Sequence, residues 1–399
     1  MRIADSKCTG CLACVDVCPL KCITATNDKE GFVHPKVDTE KCQNCGLCDR
    51  TCPVQHKRES RIGQAAFYAA KSKNREIQMH SASGGLFSVI STNVLKHGGY
   101  VIGGGWSNLD VIPLCIDSID ELEKLQKSKY VQSNCKGIYS EVKRKLQKGD
   151  TILFSGTPCQ VNALSSYLGD GLKDKLYLVE VVCHGVPSPE IWKEFVKTVS
   201  KKYKKSAEEI KSIEFKYKDG KDFFWNHPGF CIEWTDGTKM LDYSNCTWYE
   251  NGFLSNLYVR PSCHTCNFKN LETDADLTIG DFWGCENLRS DFFDTNGVSV
   301  VSVNTQKGKE LFEKIRSNLD YIEISKEDAV KYNPRFIFPA KPSKKRKIFW
   351  KRFAKINADD SCAYDNLEKL VNKCIQSNWL EKAFWNTRIK LGKLKRLFL

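Results

Sequence analysis

Two copies of one cysteine spacing at the start of this chain constrain its fold more than any other feature. Each copy reads Cys-x2-Cys-x2-Cys-x3-Cys-Pro, over residues 8–19 and again over residues 42–53. Thiolates at this spacing wrap a 4Fe–4S cubane, and in two-cluster proteins the fourth cysteine of each run ligates the other cluster. Zinc knuckles or a disulfide knot are disfavoured, because zinc usually needs one four-ligand set per ion. The predicted ligand sets are Cys8, Cys11, Cys14 and Cys52 for the first cluster, and Cys42, Cys45, Cys48 and Cys18 for the second.

The composition fits a reduced, folded protein. The 399 residues are 41% hydrophobic, enough for two or three domains, and the 20 cysteines are too sparse for a disulfide scaffold. No signal segment and no run of 18 apolar residues is present, so we expect a cytoplasmic protein without a membrane span. Most of the net charge of +13 lies after residue 340, which argues against nucleic-acid binding by the body.

The hydrophobic pattern divides the chain into three parts. Residues 1–60 form the two-cluster module, and residues 61–340 read as one α/β domain, in which apolar strands alternate with helices. Antiparallel strands are predicted within residues 212–241, where Asp236-Gly237 is a hairpin signal. The expected fold is a ferredoxin-like α+β domain, then an α/β domain with a mostly parallel sheet and an antiparallel β insertion. A helical basic tail follows over residues 341–399.

A third metal site is suggested by the predicted order of strands. Cys159 and Cys183 each follow a strand of one βαβ unit, so both thiols reach the same edge of a parallel sheet, where such sheets bind ligands. Cys263-His-Thr-Cys266 presents two more thiolates from one loop. These four cysteines suit a third 4Fe–4S cluster. The alternative, equally compatible with the spacing, is two buried structural cysteines plus a zinc site on the Cys263 loop, completed by Cys231, Cys246 or Cys285.

Glycine-rich stretches supply candidate phosphate sites, since free backbone N–H groups at a helix start attract phosphate. Ser81-Ala-Ser-Gly-Gly85 opens a predicted helix, Ser155-Gly-Thr-Pro-Cys159 follows a strand, and Gly103-Gly-Gly105 is a third such turn. The sequence has no GxGxxG motif and no P-loop lysine, so nucleotide hydrolysis is disfavoured. No catalytic residue is assigned. The candidate cofactor-binding residues are Ser83, Gly84, Gly85, Lys129, Tyr130, Gly156 and Thr157.

Six motifs that occur in order carry a resemblance to a known family. They are Ser83-Gly-Gly85, Ser128-Lys-Tyr130, Gly156-Thr-Pro-Cys-Gln160, Cys183-His-Gly-Val-Pro-Ser188, Arg260-Pro-Ser-Cys-x2-Cys266 and Ala275-Asp-Leu-Thr-Ile-Gly-Asp-Phe-Trp-Gly284. Together they resemble the coenzyme F420 hydrogenase/dehydrogenase beta-subunit family, joined to a two-cluster ferredoxin domain. The resemblance covers roughly residues 1–340.

The resemblance implies FAD at the Ser83–Gly85 and Lys129-Tyr130 stretches, and a third cluster on Cys159, Cys183, Cys263 and Cys266. It implies an iron–sulfur flavoprotein oxidoreductase that exchanges electrons with a ferredoxin or another redox protein. The second substrate would be coenzyme F420 or a small or lipid-linked intermediate, for example of a polysaccharide pathway. Two rival functions are a non-catalytic electron-transfer subunit of a larger complex and an iron–sulfur sensor without flavin.

The basic tail has its own predicted role. A helical pattern near the end of the chain places apolar residues on one face and Lys and Arg opposite, as in helices that lie on anionic membrane surfaces. We expect either peripheral contact with the inner membrane face or packing of this helix on the protein itself. The apolar face consists of Leu380, Phe384, Leu391, Leu394 and Phe398.

Overall fold

The cysteine runs fold into a small domain built on one hairpin. The structure, a computed structural model, describes residues 4–55, 65–219, 229–243, 247–269, 271–356 and 366–375. Strand β1 (Ile23–Asn27) pairs antiparallel with β2 (Val33–Val37). Each run also contributes a one-turn helix, α1 (Ala13–Val17) and α2 (Leu47–Thr51).

The larger body alternates strands and helices, and its elements are as follows. Its strands are β3 (Ala66–Ser72), β4 (Tyr100–Ser107), β5 (Asp110–Ile116), β6 (Ile152–Gly156), β7 (Leu176–Val181), β8 (Ile210–Tyr217), β9 (Gly229–Trp234), β10 (Lys239–Asp242), β11 (Leu277–Asp281), β12 (Ser299–Val303) and β13 (Leu319–Ile324). Its helices are α3 (Arg75–Met79), α4 (Leu86–Lys96), α5 (Ile138–Gln147), α6 (Pro158–Leu168), α7 (Pro189–Tyr203), α8 (Trp248–Leu254), α9 (Cys285–Leu288), α10 (Gln306–Ile315), α11 (Lys326–Lys331) and α12 (Arg346–Ile356). Residues 366–375 are also helical.

One large mixed sheet forms the centre of the body. Its strand order is β13-β3-β12-β11-β7-β6-β4-β5. The central neighbours β11, β7, β6 and β4 are parallel, and the pairs nearer the two edges are antiparallel. Strands β3, β4, β6, β7 and β11 therefore run in the same direction, and the α/β fold with a mostly parallel sheet is confirmed.

The predicted βαβ unit is β6, α6 and β7, with β6 and β7 parallel neighbours. Helix α6 begins where the sequence provides start signals: Pro158 occupies the first helical turn, and Thr157 and Gln160 form a capping box. The three fully buried side chains Val161, Ala163 and Leu164 face the sheet core. This packing fixes the start of α6 at the carboxyl edge of the sheet.

The inserted segment forms a separate antiparallel sheet with the order β10-β9-β8, as predicted. It packs with α7 and α12 around an aromatic core that was not foreseen. Helix α7 was also missed, although Ser188-Pro189 is a start signal and the Ser188 hydroxyl accepts a hydrogen bond from the N–H of Ile191. The fully buried aromatic side chains of this core include Trp192, Phe195, Phe215, Phe230, Trp234, Tyr249 and Tyr258.

One local prediction was wrong. Gly103-Gly-Gly105 is not a turn but lies inside β4, where a Cβ on Gly105 would come within 2.3 Å of the Leu114 side chain of β5. Glycine at position 105 therefore leaves room for the Leu114 side chain. Ser118 opens a 3-10 helix (Ile119–Lys124), and its hydroxyl accepts a hydrogen bond from the N–H of Asp120.

The described part of the tail packs on the body. Phe349 and Phe353 of α12 enter the aromatic core, together with Leu367 and Val371. The predicted membrane-binding face lies outside the described residues, so membrane contact stays a prediction. Among the helices that the structure describes, none has the length and apolar character needed to cross a bilayer.

Candidate iron–sulfur and cofactor sites

The structure brings the four predicted ligands of the first cluster together. Cys8, Cys11, Cys14 and Cys52 line one cavity of about 20 Å³, beside Pro35 and Val54. All four are free thiols. Burial, together with the charges of Cys8 and Cys52, raises the pKa of Cys11 to about 12. Such crowded thiols favour a bound cation, which stabilises the thiolate form.

The second predicted set is less enclosed. Cys18, Cys42 and Cys48 pack against a small apolar cluster, whereas Cys45 is exposed. Cys22, which belongs to neither predicted ligand set, is 3% exposed, and its Sγ lies 3.3 Å from that of Cys18. The second site thus lies at the surface and the first one deeper.

The proposed third set also converges on one cavity, of about 40 Å³. Cys159 lies in the first turn of α6 and Cys183 follows β7, while Cys263 and Cys266 come from a 3-10 turn, Pro261–Thr265, and its end. Burial raises the pKa of Cys263 to about 12, and the neighbouring Cys183 charge adds to this.

The zinc alternative finds less support in the residues around this cavity. Cys231 lies in β9, paired with Glu214 of β8, and Cys285 belongs to the core around Phe282 and Val298. Cys246 lies outside the described residues. In the described chain, no three His, Cys, Asp or Glu side chains are placed to hold a single metal ion.

Two histidines flank the third cavity. His184 lines it, and its Nε2–H donates to Oδ1 of Asn256 at 2.7 Å. Burial lowers the pKa of His184 to about 4, so it is neutral at pH 7. His264 makes a 2.7 Å hydrogen bond through Nδ1 to the carbonyl oxygen of Ala340.

A cleft of about 310 Å³ opens beside the third cavity, at the carboxyl ends of β6, β7 and β11. This volume is at the lower end of ligand pockets, and the carboxyl edge is where open α/β sheets bind ligands. Of the predicted cofactor-binding residues, those that line the cleft are Ser83, Gly85, Lys129, Tyr130, Gly156 and Thr157. The cleft combines hydroxyl groups, helix starts and lysines with the aromatic side chains of Phe87, Tyr130 and Phe253. That mixture suits a ligand with an anionic end and a flat ring.

The glycine loop before α4, residues 81–85, is held in place by hydrogen bonds to other parts of the protein. The Ser83 hydroxyl donates to the carbonyl oxygen of Val298 at 2.9 Å, and the Gly84 N–H donates to Oγ of Ser299 at 3.0 Å. The buried ammonium of Lys218 donates to the carbonyl oxygen of Ser83 at 3.2 Å. Because these groups are occupied by protein partners, Ser83 and Gly84 position the loop, and Gly84 does not itself line the cleft.

Basic side chains on the cleft wall have defined partners. Lys127 pairs with Glu214 of β8, and the Lys129 ammonium donates to the carbonyl oxygens of Gln126 (2.5 Å) and Lys124 (3.2 Å). Burial lowers the pKa of Lys129 to about 7. Both lysines approach the cleft from the segment before Tyr130.

The insertion adds a buried ion pair that the sequence did not reveal. Lys216 sits at a β-bulge with φ +57° and pairs with Asp281 at the end of β11. Although burial acts to lower it, the Asp281 carboxylate raises the pKa of Lys216 above its usual value. Bulges often re-aim side chains beside functional sites. The local pattern around Lys216 gives no sequence signal for this contact.

The first cluster site, the third cavity and the cleft have lining residues in common. The first-cluster ligand Cys11, with Thr9 and Gly10, also lines the third cavity. The third cavity and the cleft have common lining residues, among them Thr157 and Cys183. The sites are therefore arranged as a connected series from the first cluster to the cleft.

Family models of known proteins match two parts of the chain. Residues 149–330 match the model of a family described as the carboxy-terminal part of the coenzyme F420 hydrogenase/dehydrogenase beta subunit. Residues 7–56 match the 4Fe-4S dicluster domain.

Two curated relatives match the cluster region. An uncharacterized ferredoxin of Methanocaldococcus jannaschii is 43% identical over 48 residues, 12% of this chain and 61% of the relative. The NADH-quinone oxidoreductase subunit I 2 of Geobacter metallireducens is 41% identical over 56 residues, 13% of this chain and 43% of the relative. The chain thus spans less than two thirds of each relative.

A chain of the F420-reducing NiFe hydrogenase complex from Methanosarcina barkeri, solved as a xenon derivative, is similar with a TM-score of 0.45 and 18% identity. The similarity covers 82% of this chain and 94% of that chain. The matched models thus relate residues 7–56 to the 4Fe-4S dicluster domain and residues 149–330 to the beta subunit of the coenzyme F420 hydrogenase/dehydrogenase family.

Proposed function

We propose that this chain is an iron–sulfur flavoprotein oxidoreductase with three 4Fe–4S clusters and one FAD. The observation that carries the proposal is the sharing of walls between successive sites. Cys11 belongs to the first ligand set and lines the third cavity, and Cys183 lines both the third cavity and the cleft. Centres held this way lie close enough for successive electron transfer without any large movement of the chain.

The bound groups supply complementary redox chemistry: clusters pass single electrons, and a flavin exchanges two with an organic substrate. The residues of the chain place and shield them. Exposed Cys45 puts the second cluster within reach of a ferredoxin-type partner. The cleft would hold the flavin with its phosphates at the starts of α4 and α6, and its ring against Tyr130 and Phe253.

The substrate is assigned only as a class. Coenzyme F420 is a candidate because the description of the matched family names this coenzyme. A small or lipid-linked intermediate of a polysaccharide pathway is the other candidate, and the route of electrons can run in either direction. Turnover of one of these substrates by the isolated chain would separate an enzyme from a subunit that only transfers electrons.

The cofactor content tests the proposal directly. The chain, purified without oxygen, is expected to contain about twelve irons and one FAD, since each cubane holds four irons. Cys159→Ser and Cys263→Ser should each lower the iron content by about four. Cys285→Ser is the control, because Cys285 is a free thiol, more deeply buried than Cys159 and Cys263, that lies in a different core.

Two results would contradict the proposal. About eight irons in the unmodified chain would remove the third cluster, as would equal iron in Cys159→Ser and Cys285→Ser. A chain with clusters but no flavin after incubation with FAD would favour the iron–sulfur sensor or a plain electron-transfer subunit.

A further inference from the structure

Arg260 is a buried arginine at the joint between the dicluster domain and the body. Its side chain is 1% exposed. Its Nε donates to the carbonyl oxygen of Cys8 at 2.8 Å, and Nη1 donates to Oε1 of Gln132 at 3.2 Å. Nη2 lies 3.2 Å from the ring of His34, and the guanidinium lies over the ring of Phe32. The group is thus held firmly on several sides.

None of these contacts neutralises the charge of Arg260. Its direct partners among the described residues are a carbonyl oxygen, an amide oxygen and the ring of His34. The Asp28 carboxylate lies 3.1 Å from that ring, on His34 and not on the guanidinium. A charge removed from water is strongly destabilising unless an opposite charge lies nearby. The other arginine at the same joint, Arg346, follows that rule, because both of its terminal nitrogens contact the Glu30 carboxylate.

Arg260 adjoins two of the proposed cluster sites at once. Its side chain donates a hydrogen bond to the carbonyl oxygen of Cys8, a predicted ligand of the first cluster. Its own carbonyl oxygen accepts a hydrogen bond at 3.0 Å from the N–H of Cys263, a predicted ligand of the third cluster. Its partner Gln132 lines the third cavity. Gly10, also in that wall, is so close that a Cβ on it would lie 2.8 Å from Nη1 of Arg260.

We propose that Arg260 is the shared counter-charge of the first and third clusters, a positioning residue that makes both of them easier to reduce. A thiolate-bound 4Fe–4S cluster is an anion whose negative charge grows by one on reduction, and cluster potentials follow local charge and hydrogen bonding. A guanidinium cannot lose its proton in a protein, so its effect is constant. One fixed charge between two clusters shifts both potentials the same way and keeps them matched, which favours rapid exchange between them. The inference rests on the proposed third cluster.

The test is a redox titration of the full chain, reconstituted without oxygen and followed by electron paramagnetic resonance. Arg260→Gln removes the charge, and Arg260→Lys keeps it. In Arg260→Gln, reduction of two of the three clusters is expected to become at least about tenfold less favourable, a shift of about 59 mV to lower potential for one electron. The third reduction step, on Cys18, Cys42, Cys45 and Cys48, should not move. Arg260→Lys should show a smaller shift.

The double variant Arg346→Gln/Glu30→Gln is the matched control, because it removes an ion pair at the same joint without changing the net charge. It should leave all three potentials unchanged. A second variant covers the case in which Arg260→Gln fails to bind its clusters: Gln132→Glu places a carboxylate against the guanidinium and keeps the acceptor for it. This variant should lower the same two potentials.

Several outcomes would overturn the inference. These are unchanged potentials in both Arg260→Gln and Gln132→Glu, an equal shift of all three clusters, or the same shift in the double variant Arg346→Gln/Glu30→Gln. The iron content separates this failure from that of the proposed function. If the chain holds twelve irons and the potentials do not move, only the role of Arg260 is refuted. If it holds eight irons and one potential moves, the third cluster is refuted, and Arg260 then acts on the first cluster alone.

Discussion

Gly84 is the position where a single added methyl group tests the cofactor loop. A Cβ on Gly84 would lie 2.5 Å from the carbonyl oxygen of Ala70 and 2.8 Å from the nitrogen of Ser299. Both are backbone atoms of β3 and β12, which pair with each other in the sheet, so neither moves without loss of strand pairing. The loop must therefore shift away. Two of its hydrogen bonds lengthen as a result: the one from Gly84 N–H to Ser299 and the one from Ser72 N–H to the Gly84 carbonyl oxygen.

The size of the effect follows from this overlap. Overpacking of this kind typically destabilises by about 1–3 kcal/mol. If the shifted loop must return to its place to bind the cofactor, Gly84→Ala weakens FAD binding by about 5- to 150-fold, since about 1.4 kcal/mol is tenfold in affinity. We would measure the FAD dissociation constant of the flavin-free chain by fluorescence titration, and the free energy of unfolding in urea.

Gly171→Ala is the control, because a Cβ on Gly171 has no neighbouring atom within 4 Å. It should match the unmodified chain in both measurements. FAD binding by Gly84→Ala within about twofold of the control would refute the argument that this loop holds the flavin. An unchanged free energy of unfolding as well would refute the packing argument.

Three further predictions concern the ion pairs and the exposed cluster. Lys216→Met leaves the Asp281 carboxylate buried without its partner and should lower the free energy of unfolding by about 3–5 kcal/mol. The double variant Lys216→Met/Asp281→Leu should recover most of this loss. Both values are measured by urea titration, and equal losses in the single and double variants would contradict the pairing. Arg346→Ala frees Glu30 and should speed amide hydrogen exchange in the cluster hairpin, residues 23–37, but not in α10; unchanged exchange in the hairpin would show that the ion pair does not hold this domain. On exposure to air, the cluster on Cys45 should be lost before the others, as followed by iron release and paramagnetic resonance, and simultaneous loss would argue against its greater exposure.

The sequence predicted the elements whose signals are local. The cysteine spacing predicts both dicluster ligand sets, and the βαβ unit and the antiparallel insertion follow from turn residues and apolar runs. Cys159 and Cys183 were brought to one sheet edge by topology alone, and the structure places them on a common cavity with Cys263 and Cys266.

The sequence did not predict contacts that depend on distant segments. Lys216 meets a carboxylate 65 residues away because of a β-bulge, and no local pattern encodes that. Arg260 was quoted as part of a motif, yet its contact with Cys8, 252 residues away, becomes visible only when the dicluster domain is docked. The edge strand β13 and its neighbour β3 were missed because they pair with segments far away along the chain.

The way in which the dicluster domain is attached limits how electrons can enter. Asp16 of α1 accepts hydrogen bonds from the N–H groups of Gly137 and Tyr139 at the start of α5. The Ser188 hydroxyl, fully buried, donates to the carbonyl oxygen of Glu30. Because Gly10 and Cys11 are also part of the third cavity, the domain cannot swing outward without opening that site to water.

On the proposed route, an electron-transfer partner must therefore bind to the docked dicluster domain. The face that carries Cys45 is suited to this contact, because Cys45 is a predicted ligand that is exposed. Substitutions on that face should change the rate of electron entry and leave the proposed cleft unaffected. Substitutions at the docked joint should affect every later step together.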